Sequence, residues 1–245
     1  MNDVKTDALH QVGELRPDAV PGPVTRSRRR LWGIATLVTL PVLLGMAFFY
    51  APEDANQGAA QRIFYIHVPS AWIGFLAFLV VFVASIAFLA TGKRMWDDMA
   101  SSSAEVGVIF TTAVLITGPL WGRPVWGVYW TWDPRLTSFL MLWLIYLSYI
   151  VLRGYVPEPI RRAKFSAVLG IVGFLDVPIV YLSARWWRSE HPTQFVVESG
   201  DLPAQMLVTL LVGLATFTFL FLYLLSVRRS VAHVRAQREL EGVAR

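Results

Sequence analysis

The chain contains no cysteine. That absence excludes disulfides, thiolate metal sites, iron–sulfur clusters and covalent haem attachment through a C-x-x-C-H sequence. Charge is scarce too: Asp, Glu, Lys and Arg make up 16% of the 245 residues, against roughly a quarter in soluble domains. There is no G-x-x-x-x-G-K-[ST] phosphate loop, so this chain does not drive transport with ATP by itself. Strand-like alternation and long internal repeats are missing as well. What is abundant is apolar: 55% of residues are hydrophobic and the mean hydropathy is +0.50. The composition therefore belongs to the membrane class. A net charge of +5 then reads as arginine-rich loops on one side of a bilayer, and the expected partner is membrane lipid with no nucleic acid.

Six apolar segments have the length a bilayer demands, about 20 residues each. They run through Leu31–Tyr50, Val68–Thr91, Ala104–Leu120, Leu136–Leu152, Phe165–Ala184 and Pro203–Val227. The expected fold is an all-α integral membrane protein of six transmembrane helices. With the N-terminus inside, residues 26–30, 93–94, 153–164 and 228–238 hold fourteen Lys and Arg; the outer loops hold five, Arg62, Arg123, Arg135, Arg185 and Arg188. The positive-inside rule makes both termini cytoplasmic. Residues 1–30 read as a disordered polar cytoplasmic tail, 31–227 as the membrane domain and 228–245 as a basic cytoplasmic tail. Glu105, at the cytoplasmic end of the third segment, reads as solvated.

The outer loops are then Ala51–His67, Trp121–Arg135 and Arg185–Leu202. The second carries the densest aromatic run, WGRPVWGVYWTWD, with Trp121, Trp126, Trp130 and Trp132 among thirteen residues, Tyr129 between them and Asp133 at the end. An interfacial aromatic belt accounts for Trp32, Trp72 and Trp96 but poorly for four indoles in one loop. The run reads as a platform for a large, flat, apolar ligand. A short interfacial helix over Val125–Asp133 would place Trp126, Trp130 and Asp133 on one side. Gly122 and Gly127 would let a flat ligand approach the backbone. Asp133 has three open roles: a cap, a partner of Arg135, or an acceptor for an indole or a ligand group.

Two of the four histidines fall on the same outer face. His67 precedes Pro69 and suits the first turn of the second span; His191 lies beyond the fifth. Imidazole is a good ligand for haem iron, and two rings on separate elements can approach opposite faces of one plane. Arg62 and Arg135 flank the site. Their guanidinium forks suit carboxylates such as haem propionates, or equally lipid headgroups. Asp176 is the one acid well inside a span, followed by Pro178. It reads as a bond to a neighbouring helix or as part of a proton or ligand pathway.

At these residues the chain resembles the CcmC family, the haem exporter protein C group of cytochrome c maturation. The tract TGPLWGRPVWGVYWTWDPRLTS looks like that family's WWD signature. FYIHVPSAW is similar to the segment around its first outer histidine, here His67, and PIVYLSARWWRSEH to the segment leading to its second, here His191. The resemblance covers residues 31–227; Asp176 stands where an acid is not expected. Related WWD proteins, CcmF and CcsA, are larger. The resemblance implies a bacterial cytoplasmic-membrane protein, not an enzyme, that holds haem b transiently and non-covalently at its periplasmic face. His67 and His191 would be axial iron ligands. Trp121, Gly122, Trp126, Trp130, Trp132, Asp133, Arg62 and Arg135 would contact the macrocycle. The haem would pass to the chaperone CcmE, and the partners implied are the ABC transporter components CcmA and CcmB and the small membrane protein CcmD. Two other readings stand beside this one. One is a proton-coupled carrier with Asp176 as relay; the other is a structural subunit whose Trp loop docks a partner.

Overall fold

The computed structural model describes residues 26–186 and 202–243, and these are helical with connecting loops. The helices are α1 (Arg26–Gly45), α2 (Phe64–Thr91), α3 (Arg94–Trp126), α4 (Pro134–Tyr155), α5 (Pro159–Phe174), α6 (Asp176–Trp186) and α7 (Ala204–Val243). A π-helical turn, Met46–Tyr50, extends α1, and a 3-10 turn, Ala59–Ile63, leads into α2. Six helical segments are long and apolar enough to cross a membrane, with α5 and the start of α6 together forming the fifth. The protein is a multi-pass helical membrane protein, as its apolar segments predict.

Helices α2 and α3 form the centre and make the most extensive contact. Small residues allow the close approach that membrane helices use in place of a hydrophobic driving force. A Cβ on Gly107 would lie 2.6 Å from Phe78 Cε1, and one on Gly74 would lie 2.7 Å from Thr111 Cγ2. Ser103 donates to the Ala77 carbonyl across this seam at 2.9 Å. One core cluster joins α1, α2, α3 and α7; another joins α2 and α3 to α4 and to Val180 of α6. In the latter the Phe78 and Tyr146 rings stack at 3.5 Å, and the Tyr146 hydroxyl donates to the Gly170 carbonyl at 3.1 Å. The outer surfaces of α1 carry Leu37 and Val38 exposed, as lipid contact requires.

Helix α3 differs most from its expected bounds. It starts ten residues before Ala104 and runs past Leu120 to Trp126. Its 33 residues span about 50 Å at 1.5 Å each, well beyond a hydrocarbon core of roughly 30 Å. Ion pairs explain the early start. Arg153 grips Asp97 with two bonds of 2.6 and 2.9 Å, and Arg228 pairs with Glu105. Glu105 is thus a partner in a helix–helix ion pair, a correction to its reading as a solvated terminus.

Candidate functional site

The Trp tract lies at the end of α3 remote from Arg94. Trp121 is still helical there, with Pro119 and Pro124 tolerated inside the helix. Gly127 stops the helix. Its φ of 80° is the left-handed conformation that glycine adopts without penalty, and its N–H caps the Arg123 carbonyl at 3.0 Å. The short helix expected over Val125–Asp133 does not form. Trp126 ends α3, residues 127–133 are non-helical, and Trp132 has φ 55°, which no α-helix accommodates. Regular structure resumes at Pro134, the N1 residue of α4.

Asp133 is the N-cap of α4. Its Oδ1 accepts from the Arg135 and Leu136 backbone N–H groups at 2.8 and 3.0 Å, while Oδ2 accepts from the Thr131 hydroxyl at 2.9 Å. Of the three roles open to it in the sequence, capping is the one realised by its Oδ1 bonds. The carboxylate pins the Trp loop to α4 and fixes where Arg135 leaves the helix.

His67 is the fourth residue of α2, one turn into the helix, as expected from Pro69. Its Nδ1 lies 2.9 Å from Thr117 Oγ1 on α3. The Thr117 hydroxyl proton is directed at the Ala113 carbonyl, 2.7 Å away, so the threonine oxygen is left to accept from Nδ1–H. That bond selects the tautomer with the lone pair on Nε2. Iron-ligating histidines are oriented by such a partner on the second ring nitrogen. The imidazole meets the edge of Trp121 at 5.6 Å, and Phe64 packs on the same indole at 6.0 Å. Gly118 packs beside the ring, and a Cβ there would make ordinary contact with His67 Cε1 at 3.4 Å.

Beside His67 a cavity of about 60 Å³ opens between α2, α3, α4 and α6. Trp130 and Arg135 line it on one side; Phe75, Phe139 and Val180 form apolar walls. Trp130 Nε1 and Arg135 Nη1 are both buried and have no hydrogen-bond partner among the described residues. Residues His67, Trp130 and Arg135 thus line one apolar crevice. The cavity is small beside the roughly 300–1,000 Å³ of sites that enclose a drug-sized ligand.

The remaining predicted residues divide. Trp121 is 8% exposed and donates its indole N–H to Gln57 Oε1 at 2.9 Å, so it is a wall behind His67 rather than an open shelf. Gln57 is in turn held by Asp54, whose carboxylate accepts from the Gln57 N–H at 2.9 Å. Gly122 makes room for protein: a Cβ on it would meet the Trp126 ring at 3.0 Å. That replaces the expected close approach of a ligand at this residue. Trp132 is 70% exposed, its ring edge-to-face with Trp130 at 5.6 Å. Arg62 is paired with Glu53 at 3.2 Å and lies over Phe48, and it is not among the residues lining the crevice. His191, with Arg188, lies outside the described residues. Thr117, Gln57 and Gly118 escape sequence reasoning; the one available signal is that Thr117 and Gly118 stand a helical turn before Trp121.

An imidazole, an indole and a guanidinium gathered at one end of six membrane-spanning helices define a multi-pass membrane protein with an aromatic ligand crevice. The chain belongs to the CcmC family: the model for Heme exporter protein C matches residues 18–242. It is 39% identical over 207 residues to Heme exporter protein C of Bradyrhizobium diazoefficiens, covering 83% of this chain and 78% of that one. It is 33% identical over 218 residues to Heme exporter protein C of Rhodobacter capsulatus, covering 87% and 90%. A putative cytochrome c biosynthesis ccmC-like mitochondrial protein of Marchantia polymorpha is 31% identical over 197 residues, covering 79% and 84%.

Proposed function

We propose that this protein takes part in haem export for cytochrome c biogenesis by holding haem b at its Trp-tract face, oriented to the periplasm of a bacterial inner membrane, and passing it to the chaperone CcmE. It works as a binding and transfer protein, not an enzyme, with CcmA, CcmB and CcmD as partners. Residues 31–227 carry the function, and the flanking segments are cytoplasmic tails. His67 and His191 are the axial ligands. Trp130 and Arg135 donate to a propionate, Trp126 and Trp132 contact the macrocycle, and Trp121, Gly122 and Asp133 hold the site together. Arg62 reaches the second propionate by exchanging Glu53 for it. The observation that carries this reading is the crevice itself: an imidazole oriented through Nδ1 by Thr117, next to two buried donors with no acceptor among the described residues. Carboxylate is the group that answers both donors through charge-assisted bonds.

The test is the absorption spectrum of the detergent-purified full chain loaded with haem. Ligation by histidine gives a Soret band that His67→Ala and His191→Ala each diminish or shift. An unchanged spectrum in both variants would overturn the assignment. A carrier with Asp176 as relay keeps one supporting observation, since α6 begins at Asp176 after a break in the span and its Oδ2 is buried without a hydrogen-bond partner. For that reading, Asp176→Asn must abolish pH-dependent uptake in a protein that carries no haem.

A further inference from the structure

The end of the molecule opposite the Trp tract holds a cavity of about 290 Å³ that the haem reading does not use. It lies where the N-terminal parts of α3 and α5 and the last turn of α4 meet α7 around Arg228. Arg94, Arg153, Arg162 and Arg228 line it, against two acids, Asp98 and Glu105. Arg153 is engaged by Asp97, and Arg228 by Glu105. Arg162 differs: it makes no ion pair with a described residue, and its Nε is buried with no hydrogen-bond partner. The walls are amphipathic, with Ile150, Val231 and Ala232 beside the arginines.

We infer that this cavity binds the phosphate of an anionic glycerophospholipid, with Arg162 as its principal contact. A guanidinium fork matches a phosphodiester through two parallel hydrogen bonds. Basic pockets between transmembrane helices at the cytoplasmic side take such headgroups, and the positive-inside imbalance puts these arginines on that side. The apolar wall accommodates the glycerol backbone and the upper acyl chain, which a free phosphate lacks. Position strengthens the choice, since the arginines sit at the ends of the spans, at the depth of the phosphate plane. A lipid held here joins α3, α4, α5 and α7 at the ends where the ion pairs already tie them.

The experiment uses the detergent-purified full chain, titrated separately with short-chain phosphatidylglycerol, phosphatidylcholine of the same chains, and inorganic phosphate. Binding is read by native mass spectrometry and by the thermal unfolding midpoint. Phosphatidylglycerol is expected to bind at 1:1 and raise the midpoint, with phosphatidylcholine at least tenfold weaker. Arg162→Gln should lose about tenfold in phosphatidylglycerol binding, while Arg162→Lys retains most of it and keeps the fold check independent of charge loss. The haem Soret band should be the same in both variants, which separates this site from the crevice at the other end. Equal binding of the two lipids, or wild-type binding by Arg162→Gln, overturns the proposal. Stabilisation by millimolar inorganic phosphate that matches phosphatidylglycerol overturns the lipid as the source.

Discussion

The two ends of α3 use arginine in opposite ways. At the Arg94 end guanidinium groups meet carboxylates, Arg153 with Asp97 and Arg228 with Glu105, in a polar cavity of about 290 Å³. At the Trp-tract end one guanidinium, Arg135, lines an apolar crevice of about 60 Å³ and has a buried N–H that no acceptor among the described residues meets. A buried donor left unsatisfied costs about 1–3 kcal/mol. The first end is a structural clasp with one open arginine. The second is an apolar crevice lined by His67, Trp130 and Arg135, the one we propose as the haem site.

The sharpest way to break this contrast is His67→Ala. It should abolish the histidine-ligated spectrum and lower haem retention at least ~100-fold, since removing even a partner of a metal ligand costs roughly 10–100-fold. The same loss should appear in c-type cytochrome maturation. If retention stayed at wild-type level, the imidazole would be a packing residue against Trp121. Thr117→Val comes next. It removes the acceptor that fixes the His67 tautomer while keeping the shape, and should cost roughly 10–100-fold in haem retention with the unfolding midpoint nearly unchanged. Equal retention in Thr117→Val and wild type would show that the tautomer is set elsewhere.

How much of this was legible in the sequence follows from what each signal measures. Apolar runs announced all six spans, because burial in lipid needs length and apolarity alone. They cut α3 short at its start, because Asp97 looks like a terminus until Arg153, distant in sequence, pairs with it, and at its end, because Pro119 and Pro124 look like helix breakers. The Trp tract and His67 stood out by residue type. The non-helical path of residues 127–133 did not: a positive φ at Trp132 is a tertiary outcome that overrides an aromatic-rich segment's local preference. Trp121 was legible as an aromatic and illegible as a wall, because Gln57, its acceptor, lies 64 positions away. The pairing of His67 with Thr117, fifty positions apart, could not be read from either neighbourhood.

A smaller effect is expected at Arg135. Arg135→Gln removes the charge but keeps a donor, and should weaken haem retention about tenfold, in line with the roughly 1.5–3 kcal/mol of a hydrogen bond to a charged group. Arg135→Lys should fall between, since an ammonium keeps the charge and loses the fork. The comparison variant is Arg153→Gln at the other end. Breaking its pair with Asp97 leaves a partly buried carboxylate behind, so it should lower the unfolding midpoint and leave the retained haem unchanged. If Arg135→Gln also acted only on the midpoint, both ends would be clasps and the distinction between them would fail.

The smallest effect should separate two properties of Asp133. As an N-cap, it is replaceable by asparagine, whose side-chain oxygen accepts the same backbone N–H bonds. Asp133→Asn should therefore change stability by only a few tenths of a kcal/mol, whereas Asp133→Ala should cost about 1 kcal/mol. If Asp133 acts only by placing Arg135 and the loop, haem retention should follow the same order, close to wild type for Asn and reduced for Ala. If instead the negative charge itself faces the ligand, Asp133→Asn would lose haem while remaining fully stable. Measuring the midpoint and the Soret band on the same two variants decides between a residue that builds the crevice and one that belongs to its lining.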